Sequence, residues 1–181
     1  TLIYELFSIY GLRGSQVTDL TGIIRGRTGK QLFTQSHRLL KNRGNILVIP
    51  VSENEKDAWL ISDINELKEL PFIKSCRAVR SNKTFSIPAG PETACLDGAK
   101  LSFPLTVRRW KKGDYFYPFG MTGRKKVSDF LTDIKISLIG KEKIMVLETG
   151  GKIAWIIGKR IDNRFRITPE TKRIMLIESA F

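Results

Sequence analysis

The sequence predicts an α+β protein of two small domains, an N-terminal helical/β domain and a C-terminal β-rich one. Three observations carry this. Helical spacing is concentrated near the start, at Leu2, Ile3, Leu6, Phe7 and Tyr10 and again at Val17, Leu20, Ile23 and Ile24. Apolar runs of strand length then dominate, notably at 46–49, 144–147, 153–157 and 174–177. Finally, Pro88-Ala89-Gly90-Pro91 breaks any regular element where the charge density changes: residues 101–181 carry 17 Lys and Arg against 8 Asp and Glu, and residues 1–100 carry 14 against 10. A boundary between about 88 and 100 gives domains 1–95 and 96–181.

Taken in order, the first helix is expected from Leu2 to Tyr10, stopped by Gly11 in the left-handed conformation. Ser15 is the expected cap of a second helix that ends near Gly26. Arg25, Arg27 and Lys30 follow on a turn made by Gly26 and Gly29, and Lys41 to Asn45 forms a hairpin-like break before the strand Ile46–Ile49. Ala58–Ile61 reads as a short strand, and Ile64, Leu67 and Leu70 mark a short helix after Ser62-Asp63. Leu105 and Val107 alternate with Thr106 and Arg108 in a strand that runs into a basic cluster. Val127–Asp133 reads as a helix with Val127, Phe130, Leu131 and Ile134 on one side, and the last three apolar runs form a sheet.

A formal charge of +13 makes nucleic acid the leading partner, ahead of an anionic membrane or an acidic protein. A 181-residue chain with 41% hydrophobic residues can bury one good core or two small ones. No apolar run approaches the ~20 residues that span a bilayer and no signal segment precedes the first helix, so the chain reads as cytoplasmic and as a fragment beginning mid-protein. Cys76 and Cys95, with His37 the sole histidine, supply neither a zinc ligand set nor an implied disulfide, so no metal is expected.

The densest chemistry lies between Arg108 and Lys126. Arg108, Arg109, Lys111 and Lys112 precede Gly113, and Arg124, Lys125 and Lys126 follow Gly123, with Tyr115, Phe116, Tyr117 and Phe119 between them. Cations brought together by glycine turns can converge on phosphates, and the aromatics can pack beneath them or stack on unpaired bases. The plain alternative is a solvated basic loop over an aromatic mini-core.

Catalytic motifs fail. Gly29-Lys30-Gln31 lacks both the glycine five positions before Gly29, where Ile24 stands, and the hydroxyl after the lysine of a phosphate-binding loop. His37 has no nearby cysteine or nucleophile elbow and reads as a surface or capping residue. Asp114, Asp129, Asp133 and Asp162 each have a simpler role as turn, helix or ion-pair residues, leaving no catalytic set.

The order Pro104 to Trp110, Gly113 to Pro118, Gly120-Met121, Gly123 to Phe130, Lys135-Ile136 and Ile153 to Phe165 resembles the C-terminal domain of tRNA(Ile)-lysidine synthetase. Ser15-Gln16-Val17, Thr28 to Gln31 and His37-Arg38-Leu39 are similar to the middle, substrate-recognition region of that family; residues 51–95 are similar only loosely. The resemblance implies a parent enzyme that uses ATP, with Mg, to join lysine to the wobble cytidine of isoleucine tRNA. It places that chemistry outside this chain: Thr149-Gly150-Gly151-Lys152 lacks the flanking serine and aspartate of the family's phosphate loop, so no cofactor is expected here. The expected role is to bind tRNA. Candidate contacts are Arg108, Arg109, Lys111, Lys112, Arg124, Lys125, Lys126, Lys159, Arg160, Arg164 and Arg166, with Lys30 and Arg38 in the first domain. Each also reads as a solvated charge, and Arg109 as the partner of Asp114 or Asp162 in a structural bridge. The expected partners are isoleucine tRNA and the N-terminal catalytic domain of the same protein; a homodimer is left open. Two other readings remain: a stand-alone basic RNA-binding or ribosome-associated module without enzymatic activity, and an independent enzyme built on the carboxylates.

Overall fold

The computed structural model describes residues 1–51, 57–81 and 85–180. Its contacts divide the chain into two compact units, Thr1–Glu55 and Lys56–Phe181. The boundary expected between 88 and 100 therefore falls inside the second unit.

In the first unit α1 (Leu2–Ser8) stops two residues earlier than the spacing suggests, and the chain reverses through Gly11 at φ 79°. Ser15 does not cap the next helix. It lies in a single 3₁₀ turn (Gly14–Gln16) that runs directly into α2 (Val17–Ile24), and Gln16 makes the local bonds instead, accepting from the Arg13 N–H at 3.1 Å and donating to the Phe33 carbonyl at 2.9 Å. Three antiparallel strands follow, β1 (Gln31–Phe33), β2 (His37–Asn42) and β3 (Asn45–Pro50). The β2–β3 hairpin pairs Asn42 with Asn45 and turns through Arg43 at φ 53°. Leu12, Leu20 and Leu39 form a small buried centre between helices and sheet, with Phe7, Val17 and Ile24 half-buried around it.

The second unit is two antiparallel sheets packed face to face. One has five strands in the order β12-β11-β10-β7-β4, with β4 Ala58–Ile61, β7 Leu105–Arg109, β10 Met145–Thr149, β11 Lys152–Ile156 and β12 Arg160–Ile161. The other places β13 (Arg173–Ser179) between β5 (Ile73–Arg80) and β6 (Thr93–Asp97). A third pair, β8 (Tyr115–Phe116) and β9 (Lys125–Lys126), closes the aromatic segment into a loop. The helices are α3 (Ile64–Lys68), capped by Asp63 accepting from the Asn65 and Glu66 N–H groups, α4 (Val127–Asp133) and α5 (Leu138–Glu142).

Side-chain alternation along the strands builds two cores on the large sheet. Leu105, Val107, Met145 and Leu147 meet Ala94, Leu96, Met175 and Ile177 of the small sheet. Val146, Ile153 and Ile156 point the other way and meet Phe116, Val127, Phe130 and Leu131. The uninterrupted apolar run 153–157 follows from this, since a strand covered on both faces has no solvent side to mark. One irregularity adds to it: Leu147 pairs with Trp155 but Glu148 with Ile153, so Ala154 is an extra residue in a β-bulge and both Ala154 and Trp155 turn into the inter-sheet core. Ile134 departs from expectation. It is the C-cap of α4 and exposed, because the helix ends one residue before it would rejoin the apolar side.

Candidate nucleic-acid interface

Strand direction decides which cations share an end of the sheet. β10 runs antiparallel to both β7 and β11, so those two run the same way, and the register aligns Arg108 with Val146, Val146 with Ile156 and Ile156 with Arg160. Arg108 and Arg160 thus lie on one row, three strands apart, or about 14 Å at the usual strand spacing.

Arg108 is bound into an ion-pair network at that row. It donates to both oxygens of Asp114 at 2.8 and 3.0 Å and to Glu148 Oε2 from Nε and Nη2 at 3.0 and 2.6 Å. These three side chains are only 14–21% exposed, and the Asp114 hydrogen bonds, followed by those of Glu148, outweigh desolvation and raise the guanidinium pKa further. Asp114 also accepts from the Lys111 N–H at 2.7 Å, so this ion pair fixes the turn that carries Lys111 and Lys112. The bridge expected at Arg109 belongs to Arg108. Arg109 instead donates to Asp57 Oδ1 at 2.8 Å and to the Glu142 carbonyl at 2.5 Å.

Asp162 is the second organising carboxylate. Fully buried, it accepts from the Tyr117 N–H, the Arg164 N–H and the Arg164 Nε and Nη2 atoms, all within 2.8–2.9 Å. Its hydrogen bonds, ahead of its charge, raise the Arg164 pKa and hold that guanidinium 4.6 Å above the Tyr117 ring. Tyr117 meets Tyr115 edge-on at 6.4 Å, and Arg124 lies 5.4 Å over Tyr115. The result is an alternating row of Arg124, Tyr115, Tyr117 and Arg164, with cations at both ends and aromatic rings between.

Three surface depressions follow this row and share residues. One of about 420 Å³ is bordered by Tyr115, Arg124, Lys125 and Lys126. The next, about 100 Å³, is reached across Gly113 and Tyr115 and includes Lys152 and Arg164. The last, about 280 Å³, continues from Lys152 and Arg164 to Lys100 and Ser102. Together they make a furrow whose exposed cations are Arg124, Lys126, Lys152 and Lys100, the last 3.9 Å from Asp97 Oδ2. Lys125 is held by Asp133, and α4 begins directly after Lys126.

The furrow unites Arg108, Arg124, Lys125, Lys126 and Arg164 of the expected contacts, Arg108 through its ion-paired guanidinium. Lys159, Arg160 and Arg166 gather at a separate depression beside Phe119. Lys30, exposed, and Arg38, half-buried on β2, belong to the first unit. Lys100 and Lys152 were not read from the sequence. Lys152 stands alone beside the Gly150-Gly151 hairpin and Lys100 in a 3₁₀ turn, so neither sits in a charge cluster. Asp129 and Asp133 act locally, with Ser128 and Lys125, and no cluster of three metal-ligating side chains occurs among the described residues. No described helix is long and apolar enough to cross a membrane.

Fold and furrow define a class: a basic antiparallel α+β scaffold that presents cations fixed by buried carboxylates beside aromatic rings. Residues 1–51 match the TilS substrate binding domain and residues 105–178 the TilS C-terminal domain. The chain is 38% identical over 177 residues to a tRNA(Ile)-lysidine synthase of Parabacteroides distasonis, 37% over 174 residues to one of Bacteroides thetaiotaomicron and 28% over 183 residues to one of Clostridium acetobutylicum. These alignments cover 96–98% of this chain and 38–40% of the relatives, so the chain spans about 40% of their length. A solved TILS C-terminal domain superimposes with a TM-score of 0.49 at 23% identity, covering 57% of this chain and 81% of that one. The chain belongs to the tRNA(Ile)-lysidine synthase family.

Proposed function

We propose that this chain is the tRNA-binding portion of a tRNA(Ile)-lysidine synthase, a cytoplasmic enzyme whose remaining length carries ATP, Mg and the ligation of lysine to the wobble cytidine of isoleucine tRNA. The observation that carries the reading is the Arg124–Tyr115–Tyr117–Arg164 row with its furrow, which presents charge along a line and offers few directed groups for reading base edges. Such a surface suits the evenly spaced phosphates of an RNA stem. Asp114 and Asp162 serve it indirectly, by holding the turn and the Arg164 guanidinium in place before RNA arrives, which lowers the ordering cost of binding.

Binding of isoleucine tRNA to the purified chain, followed by fluorescence anisotropy at several salt concentrations, tests this. Six neutralised phosphates give a slope of log affinity against log salt of roughly −4 to −5. Replacing Arg124, Lys126 and Lys152 together by Ala should weaken binding and flatten that slope by about 2–3, with the melting temperature nearly unchanged. Wild-type affinity and slope in the triple variant would remove the furrow from the interface. Lysidine formation by this chain alone would contradict the division of labour.

A further inference from the structure

The depression beside Phe119 differs in kind from the furrow. It has a volume of about 440 Å³, within the roughly 300–1,000 Å³ of sites that enclose small molecules. Phe119, Ile161, Ile167, Pro91 and Ile87 give it apolar walls, and Lys159, Arg160 and Arg166 supply its charge; none of the described residues that line it is acidic. Phe119 is 45% exposed, and the backbone holds it there: its N–H donates to the Ile161 carbonyl at 3.0 Å, and Gly120 at φ 84° turns the chain away behind it. The ring is thus held at the wall of the depression and partly open to solvent.

The combination selects a ligand with a flat apolar body and a negative group attached. The same two segments border both this depression and the furrow. Tyr115 borders the furrow four residues before Phe119, with Tyr117 under Arg164 between them, and residues 160–166 supply Arg164 to the furrow and Arg160, Ile161 and Arg166 to the depression. A polynucleotide strand lying in the furrow would therefore reach the depression within a nucleotide or two. Resting on the proposed RNA-binding role, we infer that this depression takes one unpaired nucleotide of the bound RNA, its base against Phe119 and Ile161 and its phosphate on Lys159, Arg160 and Arg166. The furrow reads the regular backbone, and the depression reads that a strand end or an unpaired base is present.

The test compares two fluorescent RNA hairpins of identical stem, one blunt and one with a four-nucleotide single-stranded 3′ overhang, bound to the whole chain. The overhang should tighten binding by about tenfold, in line with one base stacked on an aromatic side chain. Phe119→Ala should abolish that difference while leaving the blunt hairpin's affinity and the melting temperature unchanged, and Phe119→Tyr should retain it. A 5-iodouridine in the overhang should cross-link to residues 87–95, 119 or 159–167. Equal affinity for both hairpins overturns the inference and leaves the RNA-binding role standing, with a polypeptide segment as the alternative occupant. Failure of both hairpins to bind overturns the two together. Adenosine monophosphate binding alone, with a Phe119-dependent affinity exceeding the overhang's contribution, would reassign the site to a free nucleotide.

Discussion

Two adjacent arginines show how far residue type falls short of role. Arg108 and Arg109 are indistinguishable in a charge count, yet Arg108 is locked between two carboxylates at the sheet while Arg109 reaches an exposed aspartate and a helix-end carbonyl. Arg108→Ala would leave Asp114 and Glu148 facing each other, partly desolvated, and should cost about 2–4 kcal/mol in denaturant unfolding. Lys126→Ala, on an exposed cation, should change stability by less than about 0.5 kcal/mol. Trp155 is 1% exposed, and its Nε1 has no hydrogen-bond partner among the described residues. Trp155→Ala should cost about 3–5 kcal/mol through the cavity it opens. Trp155→Phe should cost at least about 2 kcal/mol less, since it keeps a ring and removes the orphan donor; equal losses would show that the indole N–H matters in a way the packing does not explain. Burial pushes the Cys76 thiol up to about 11 from 9.0. The unfolded thiol ionises first, so this contribution to stability is intact below pH 9 and is lost as pH rises through about 11. Between pH 8 and 10.5 the wild-type chain should therefore lose about 2 kcal/mol more than Cys76→Ala, measured by urea unfolding at both pH values.

At the scale of elements, the β10–β11 hairpin places Lys152, a residue of the proposed interface, by backbone conformation alone. Thr149 pairs with Lys152 across a two-residue loop in which Gly150 and Gly151 both have positive φ, at 52° and 72°. That is the primed turn whose twist matches the strands it joins, and L-residues with a β-carbon adopt it reluctantly. Gly150→Val with Gly151→Val should cost about 2–4 kcal/mol and weaken RNA binding by displacing Lys152, whereas Gly150→Asn should be nearly silent in both assays. The bulge at Ala154 has a similar consequence. Its carbonyl accepts from the Asp162 N–H at 2.9 Å, which ties the segment carrying Asp162 and Arg164 to the sheet.

Across the whole molecule, the order of strands sets what can fold alone. β13, near the C-terminus, pairs along its full length with β5 and β6, which lie about 80–100 positions earlier in the chain. A fragment 96–181, cut where composition changes, loses β5 and nearly all of β6 and should be unfolded by circular dichroism. A fragment 56–181 keeps all the sheets of the second unit and should unfold cooperatively. A folded 96–181 fragment would show that the small sheet is dispensable.

How much was legible follows from the range over which each force acts. Local rules placed the Val127–Asp133 helix, the 46–49 strand and the three C-terminal runs as strands, because periodicity and turn chemistry are properties of neighbouring residues, but the one sheet expected of those runs is divided, β13 joining β5 and β6 apart from β10 and β11. They mistook Ser15 for a cap, since the choice between a 3₁₀ turn and a cap was made by Gln16 reaching Phe33, 17 positions away. The excess of positive charge and the aromatic segment at 115–119 were also visible, and with them the class of partner proposed for the chain. Which cations face that partner was not. Arg108 was withdrawn by Glu148, 40 residues on, and Tyr117 was joined to Arg164 by Asp162, while Lys152 and Lys100 entered the furrow only when β10, β11 and the turn after β6 were brought together. The sequence by itself determined those secondary elements with a clear local period and the sign of the chain's net charge, which depend on local periodicity and on sums over residues. Tertiary structure alone decided which charges are paired and which stay exposed, because an ion pair depends on distance in space, and the fold sets that distance without regard to separation along the chain.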